Sequence, residues 1–218
     1  MKAVLYMSRI TSIKKQRGLV LVEIEEEAAL RVPASLYRER PLQPDTDLDI
    51  EAYEAWLSER EYPHALSRAV EYLAARPRTE REMETRLHQC GYTDKAVARV
   101  MARLQREGFL NDAQFADQWT QARQERALGK RRIAQELARK GVSREHVDAA
   151  LSHVDEEEQQ RQATELCRRL LDRTRGKDER DVCRKVLAAL VRRGYDWDTA
   201  KRALAHAGKD SSDDGWDE

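Results

Sequence analysis

Three glycines constrain this chain more than any other feature. When Gly91, Gly141 and Gly194 are aligned, the surrounding positions fall into register without a gap. Leu87, Leu137 and Leu190 stand four residues before them, Met83, Ile133 and Val186 eight before, and Arg81, Arg131 and Arg184 ten before. After the glycines come Tyr92, Val142 and Tyr195, then Thr93, Ser143 and Asp196, then Val97, Val147 and Ala200, and finally Met101, Leu151 and Leu204. Self-similarity at a period of roughly fifty residues marks a tandem repeat.

The repeat has a direct physical reading. Apolar residues four apart build one helix face, and an arginine six residues before the leucine falls on the opposite side at 100° per residue. Glycine supplies the left-handed turn that ends a helix, and Thr, Ser or Asp two residues later can cap the next. Each unit is therefore a helix-turn-helix. Two helices cannot bury both apolar stripes, so each unit should recruit a preceding third helix. The candidates are Leu66, Ala69, Val70 and Leu73; Phe115, Trp119 and Ala122; and Ala163, Leu166 and Leu170.

Residues before the repeats follow another pattern. Ile10 and Ile13, Leu19 to Ile24, and Ala28 to Val32 are short runs broken by Arg17-Gly18 and Glu25 to Glu27, which points to a small sheet. Pro33 should stop the last strand, and Pro41 to Asp49 reads as a loop. Asp49 should cap a helix carrying Ile50, Tyr53, Trp56 and Leu57, against which the sheet would pack. Thr79-Glu80-Arg81-Glu82 has the form of a capping box, and the acidic run from Glu156 suits a helix start. Gly108 should close the first unit, leaving Asn111 or Asp112 to open the second. The expected fold is mainly α, with three tandem three-helix repeats in a curved array and a small N-terminal β-containing module. The expected boundaries are 1–62 for the module, 63–110, 111–155 and 156–208 for the repeats, and 209–218 for an acidic disordered tail.

Charge is segregated along the chain. The 40 basic and 40 acidic residues cancel formally, yet residues 63–208 hold 30 basic against 23 acidic, while both flanking segments are acidic. An excess of positive charge on a helical array points to a polyanionic partner. No apolar run approaches the roughly 20 residues needed to span a bilayer, and the start lacks a secretory apolar core, so a cytoplasmic location is expected. Cys90, Cys167 and Cys183 are odd in number and widely spaced, and read as small apolar fillers.

Chemistry-bearing motifs are missing from the sequence. There is no phosphate-binding glycine loop, and the five histidines are dispersed without zinc spacing. The expectation is a protein that is not an enzyme and uses no cofactor or metal. The candidate binding residues are instead three corresponding basic sets: Arg81 and Arg86; Lys130, Arg131, Arg132, Arg139 and Lys140; and Arg184, Lys185, Arg192 and Arg193. Arginine at one register in every repeat would present a row of forks to phosphates or carboxylates. Tyr195 takes a core register, whereas Trp197 aligns with Asp94 and Arg144 on the surface and is a candidate contact.

The stretches RTEREMETRLHQCGY, GFLNDAQFADQWTQAR, GKRRIAQELARKGV and VDAAL, in this order and spacing, resemble the RecX regulatory proteins of bacteria, which modulate the RecA recombinase. The N-terminal strands and RVPASLYRERPLQPDTDLD look like the small extra domain of longer members, while CRKVLAALVRRGY is a generic helix. The resemblance implies a body that docks without catalysis on RecA and its DNA filament, and a monomer is expected. It also implies limits on filament growth, strand exchange and ATP hydrolysis. Direct binding of single- or double-stranded DNA is an open part of that expectation. The competing reading is a helix-turn-helix transcription regulator. It would need base-reading side chains at the helix starts, and those at Thr93, Ser143 and Asp196 share no such set.

Overall fold

The computed structural model describes residues 7–25, 29–174 and 178–213, with side chains as far as residue 208. β1 (Met7–Gln16) and β2 (Leu19–Ile24) form an antiparallel hairpin through Arg17-Gly18, where Gly18 takes a φ of 88° that suits only glycine without cost. β3 (Leu30–Pro33) pairs with β2, and the short β4 (Asp47–Asp49) pairs with β1, giving the order β3-β2-β1-β4. Ile10, Val22 and Val32 are fully buried from this sheet. They pack on α1 (Ala34–Glu39) through Leu36 and on α2 (Ile50–Ala75) through Tyr53 and Leu57.

The first module departs from the sequence reading in two places. The residues after Pro33 form α1, and the end of the Pro41 to Asp49 stretch is strand β4. Pro33 serves as the N-cap position of a helix, where a missing amide is harmless, and Leu36 and Tyr37 turn that helix inward. A three-residue edge strand has no pattern of its own to read.

The expected boundary at residue 63 falls inside α2, one helix of 26 residues that contains Pro63. Its first half feeds the sheet core through Tyr53 and Leu57, and its second half feeds the first repeat through Ala65 and Ala69. A proline inside a helix removes one ladder bond and crowds the preceding turn. Packing of both halves into separate cores holds the helix through it.

The repeats form as the glycine register requires. The first combines the end of α2 with α3 (Glu80–Gln89) and α4 (Asp94–Arg106). The second combines α5 (Asp112–Gln124), α6 (Lys130–Arg139) and α7 (Arg144–Ser152); the third, α8 (Glu156–Arg173), α9 (Glu179–Arg192) and α10 (Trp197–Asp213). Met83, Leu87, Ile133, Leu137, Val186 and Leu190 are all at most 1% exposed. Each buried leucine contributes about 1.5–3 kcal/mol. Gly91, Gly141 and Gly194 have φ of 85°, 88° and 96°, the left-handed turn after each helix. Thr93 and Ser143 cap α4 and α7 through their hydroxyls, and Asp196 accepts the Thr199 amide at 2.8 Å.

Two stripe residues of the preceding helices lie outside. Val70 is 53% exposed and Ala122 is exposed, while Ala65 and Ala116 take the inner places. In the first repeat Ala69 is fully buried beside Val70, so that core takes the small side chain over the larger one a step around the helix. α10 also continues past Gly208 to Asp213, within the segment read as tail. Residues 214–218 of the expected tail lie outside the described residues. The chain divides into two compact units, Met1–Asn111 and Asp112–Glu218.

In the first unit the sheet seats on the glycine turn of its repeat. A side chain on Gly91 would meet Leu19 Cδ1 at 2.5 Å, and Tyr92 Oη lies 3.2 Å from Ser35 Oγ. Nearby, Glu61 is 2% exposed and accepts a hydrogen bond from the Thr93 hydroxyl, which ties α2 to the start of α4. Burial pushes the Glu61 carboxyl up, and the Thr93 hydroxyl and amide offset this only in part. The folded state thus keeps this proton to higher pH than the unfolded state, so stability falls as pH rises through the usual carboxylate value toward the raised one. Glu61→Gln should remove that slope. Unfolding midpoints measured from about pH 4 to about pH 7 should diverge, with the variant gaining on the wild type as pH rises. Parallel curves would mean that Glu61 ionises as an exposed glutamate does.

Candidate functional site

α6 has an unusual start. Its N-cap residue is Gly129, with no side chain to accept the free amides of the first turn. The acceptors come from the third repeat. Gly129 N donates to Arg193 O at 3.0 Å, and Arg131 N donates to Gly194 O at 3.1 Å. The carbonyl end of α9 therefore caps the amide end of α6, an arrangement that also opposes the two helix dipoles favourably. Arg193 Nη1 adds a bond to Arg126 O at 3.1 Å.

This contact leaves no room for side chains. A Cβ on Gly129 would lie 2.3 Å from the carbonyl carbon and oxygen of Gly194, and one on Gly194 would lie 2.3 Å from Arg132 Cβ. Backbone meets backbone at both positions.

The junction gathers basic residues from two repeats. Lys130, Arg131 and Arg132 open α6, and Arg192 and Arg193 close α9, so five of the cations singled out from sequence share one corner. Arg131 and Arg192 are exposed and make no ion pair among the described residues. Lys130 Nζ lies 3.6 Å from Glu156, whose side chain is 89% exposed and screened by water. Arg132 Nε lies 3.4 Å from Glu136, but Glu136 is already held by Arg123 at 2.7 Å and by the Trp119 indole at 3.2 Å. Burial raises the Glu136 carboxyl, and these donors more than reverse it, so the group stays below the usual carboxylate range. Arg132 is thus free to turn to a partner without leaving a bare carboxylate behind.

The remaining candidates separate by environment. Arg139 is exposed near the other end of α6. Lys140 is half-buried, with Nζ 4.4 Å from the Trp119 ring centre and 5.4 Å from that of Phe115. It packs on the second core as much as it faces water. Arg184 and Lys185 share Asp181 on α9. In the first unit Arg81 and Arg86 are exposed on α3, beside Glu80, Glu82 and Glu84. That helix presents mixed charge, where α6 has four basic residues and one acidic.

Gly129, Arg123 and Glu136 were not among the residues singled out from sequence, and Trp119 was read only as a residue of the helix stripe. A signal existed for the first: a basic helix that begins without Ser, Thr, Asp or Asn needs its acceptors from elsewhere. No cluster of three or more His, Cys, Asp or Glu among the described residues is placed to hold a metal ion. No helix among them is long and apolar enough to cross a membrane.

Family models match all three repeats. Residues 65–104 match the first three-helix domain of RecX, 111–151 the second and 156–204 the third. A regulatory protein RecX from Mycolicibacterium smegmatis is 41% identical over 128 residues, covering 56% of this chain and 68% of the relative. One from Streptomyces coelicolor is 33% identical over 143 residues, covering 65% and 76%. One from Clostridium perfringens is 28% identical over 197 residues, covering 88% and 92%. Among solved structures, a crystal structure of regulatory protein RecX superposes with a TM-score of 0.63 at 24% identity, over 89% of this chain and 97% of the other. RecX from Lactobacillus salivarius gives 0.64 at 19% identity, over 68% and 97%. At these identities the two structures establish the fold.

Proposed function

Because the chain belongs to the RecX family, we propose that it is a non-catalytic regulator that binds the RecA recombinase and its DNA filament through the basic corner where α6 meets α9. Binding there restricts filament extension, strand exchange and the ATP hydrolysis that accompanies them. The observation that carries this reading is the backbone junction that joins Lys130, Arg131 and Arg132 to Arg192 and Arg193.

The physical reason is additive charge. Phosphates along a nucleic acid or carboxylates on a filament surface repeat in space, and several guanidinium groups held at fixed separation engage several of them at once. A junction made of backbone hydrogen bonds holds its arginines in place before binding, so little ordering is lost on association. The partner assignment comes from the family resemblance; the corner supplies a surface that suits it.

The reading is tested by titrating the protein into strand exchange and DNA-dependent ATP hydrolysis by the host recombinase. Both activities should fall with saturable dependence, and salt should weaken the effect. A protein that leaves both unchanged while binding one DNA sequence preferentially would be the transcription regulator instead.

A further inference from the structure

The outer face of α9 carries an apolar groove whose floor shares only Leu187 with the third core and whose edge shares Arg192 with the basic corner. Cys183, Leu187, Ala188 and Val191 form its floor, and Trp197 at the start of α10 closes one end. Val191 is 37% and Trp197 48% exposed. The same register in the first repeat is polar: Glu80, Glu84, His88 and Asp94 stand where Cys183, Leu187, Val191 and Trp197 stand here. The fold therefore does not require apolar residues at these places, and an exposed apolar patch without a folding role marks an interaction surface.

Charge identifies what fits. Arg180, Arg184 and Arg192 line the groove. Arg184 shares Asp181 with Lys185, whereas Arg180 and Arg192 make no ion pair among the described residues. The two unpaired guanidinium groups stand twelve residues apart on one helix, about 18 Å along its axis. We propose that this groove docks an amphipathic helical peptide of about three turns, with apolar side chains in the groove and a carboxylate near each end for Arg180 and Arg192. A single-stranded nucleic acid fits less well. Its bases would need flat aromatic faces, but the floor is aliphatic and Lys201 Nζ lies 5.5 Å from the Trp197 ring centre, over one face. The proposal stands on α9 and Trp197, shares Arg192 with the basic corner, and is read by peptide binding without the recombinase.

The test uses the full chain and three labelled probes followed by fluorescence anisotropy. These are a sixteen-residue helical peptide with leucine on one stripe and glutamate near each end, the same peptide with glutamine at those ends, and an oligothymidylate of similar length. The acidic peptide should bind with saturation. Its glutamine form should bind at least ten-fold more weakly and lose its salt dependence. Val191→Glu and Trp197→Ala, both at exposed positions and both checked for helicity, should each weaken the acidic peptide at least ten-fold. Equal binding of the two peptides overturns the proposal, as does equal binding to wild type and both variants. Loss of oligothymidylate binding alone in Trp197→Ala would make the groove a nucleic-acid surface. Self-association abolished by Val191→Glu would make its occupant a second copy.

Discussion

Gly194→Ala is expected to destabilise the second unit by about 3 kcal/mol or more, the largest stability effect of any alanine substitution at the glycine turns. Two costs combine at this site. The φ of 96° is left-handed, which costs a residue with a Cβ about 1–2 kcal/mol. The new Cβ would also sit 2.3 Å from Arg132 Cβ and 2.4 Å from Arg132 N, so helix α6 must move away. Overpacking of that kind costs typically about 1–3 kcal/mol. Two companion variants separate the terms. Gly108→Ala carries a φ of 74° with nothing within 4 Å of the added atom, so it reports the backbone cost alone. Gly129→Ala has an ordinary φ of −76° and reports the contact alone. Urea midpoints should fall in the order Gly194→Ala lowest, then Gly129→Ala, then Gly108→Ala. Hydrogen exchange at the Gly129 and Arg131 amides should quicken in the first two and not in the third. A Gly129→Ala protein as stable as the wild type would show that the helix-to-helix junction does not persist in solution.

The largest effect on binding expected of α6 should come from changing Arg131 and Arg132 of the basic corner, together with Arg139 at the helix's other end, to Ala. All three lie on α6 away from Ile133 and Leu137, and alanine is the best helix former. Glu136 keeps Arg123 and Trp119 when Arg132 is removed, so no buried carboxylate is stranded. Lys140 is left in place because it covers the rings of Trp119 and Phe115, and its loss would confound folding with binding. Each charge-assisted contact is worth about 1.5–3 kcal/mol where a partner desolvates it, and less where water remains. A drop in filament affinity on the order of 100-fold is therefore expected, with the slope of log K against log salt shallower by about two to three. The measurement is strand exchange at two salt concentrations with matched helicity. Equal inhibition by variant and wild type would remove α6 from the mechanism.

What the sequence by itself determined is the repeat. Leucine four before a glycine, an apolar residue eight before it and a capping residue two after it are local demands of an α-helix, its left-handed stop and the next helix start, so they are legible residue by residue. Leu87, Leu137 and Leu190 are all fully buried for that reason. The same locality explains the failures. Neither α1 nor β4 carries a period of its own long enough to read, and α2 runs through Pro63 because two cores, distant in sequence, hold its two halves. Val70 lost its inner place to Ala65 and Ala69 because the spacing of two helix axes decides which side of a broad stripe faces in.

The candidate site divides in the same way. Exposure of Arg81, Arg131 and Arg184 follows from their angle on the helix and was set by sequence. That Lys130, Arg131 and Arg132 share a corner with Arg192 and Arg193 was decided only by tertiary structure. About sixty residues separate the two groups, and no periodicity encodes a contact across that distance. It forms because a helix without a capping side chain and a glycine turn with a free carbonyl each lack what the other supplies, and only at Gly129 and Gly194 can two backbones approach closely enough to exchange it.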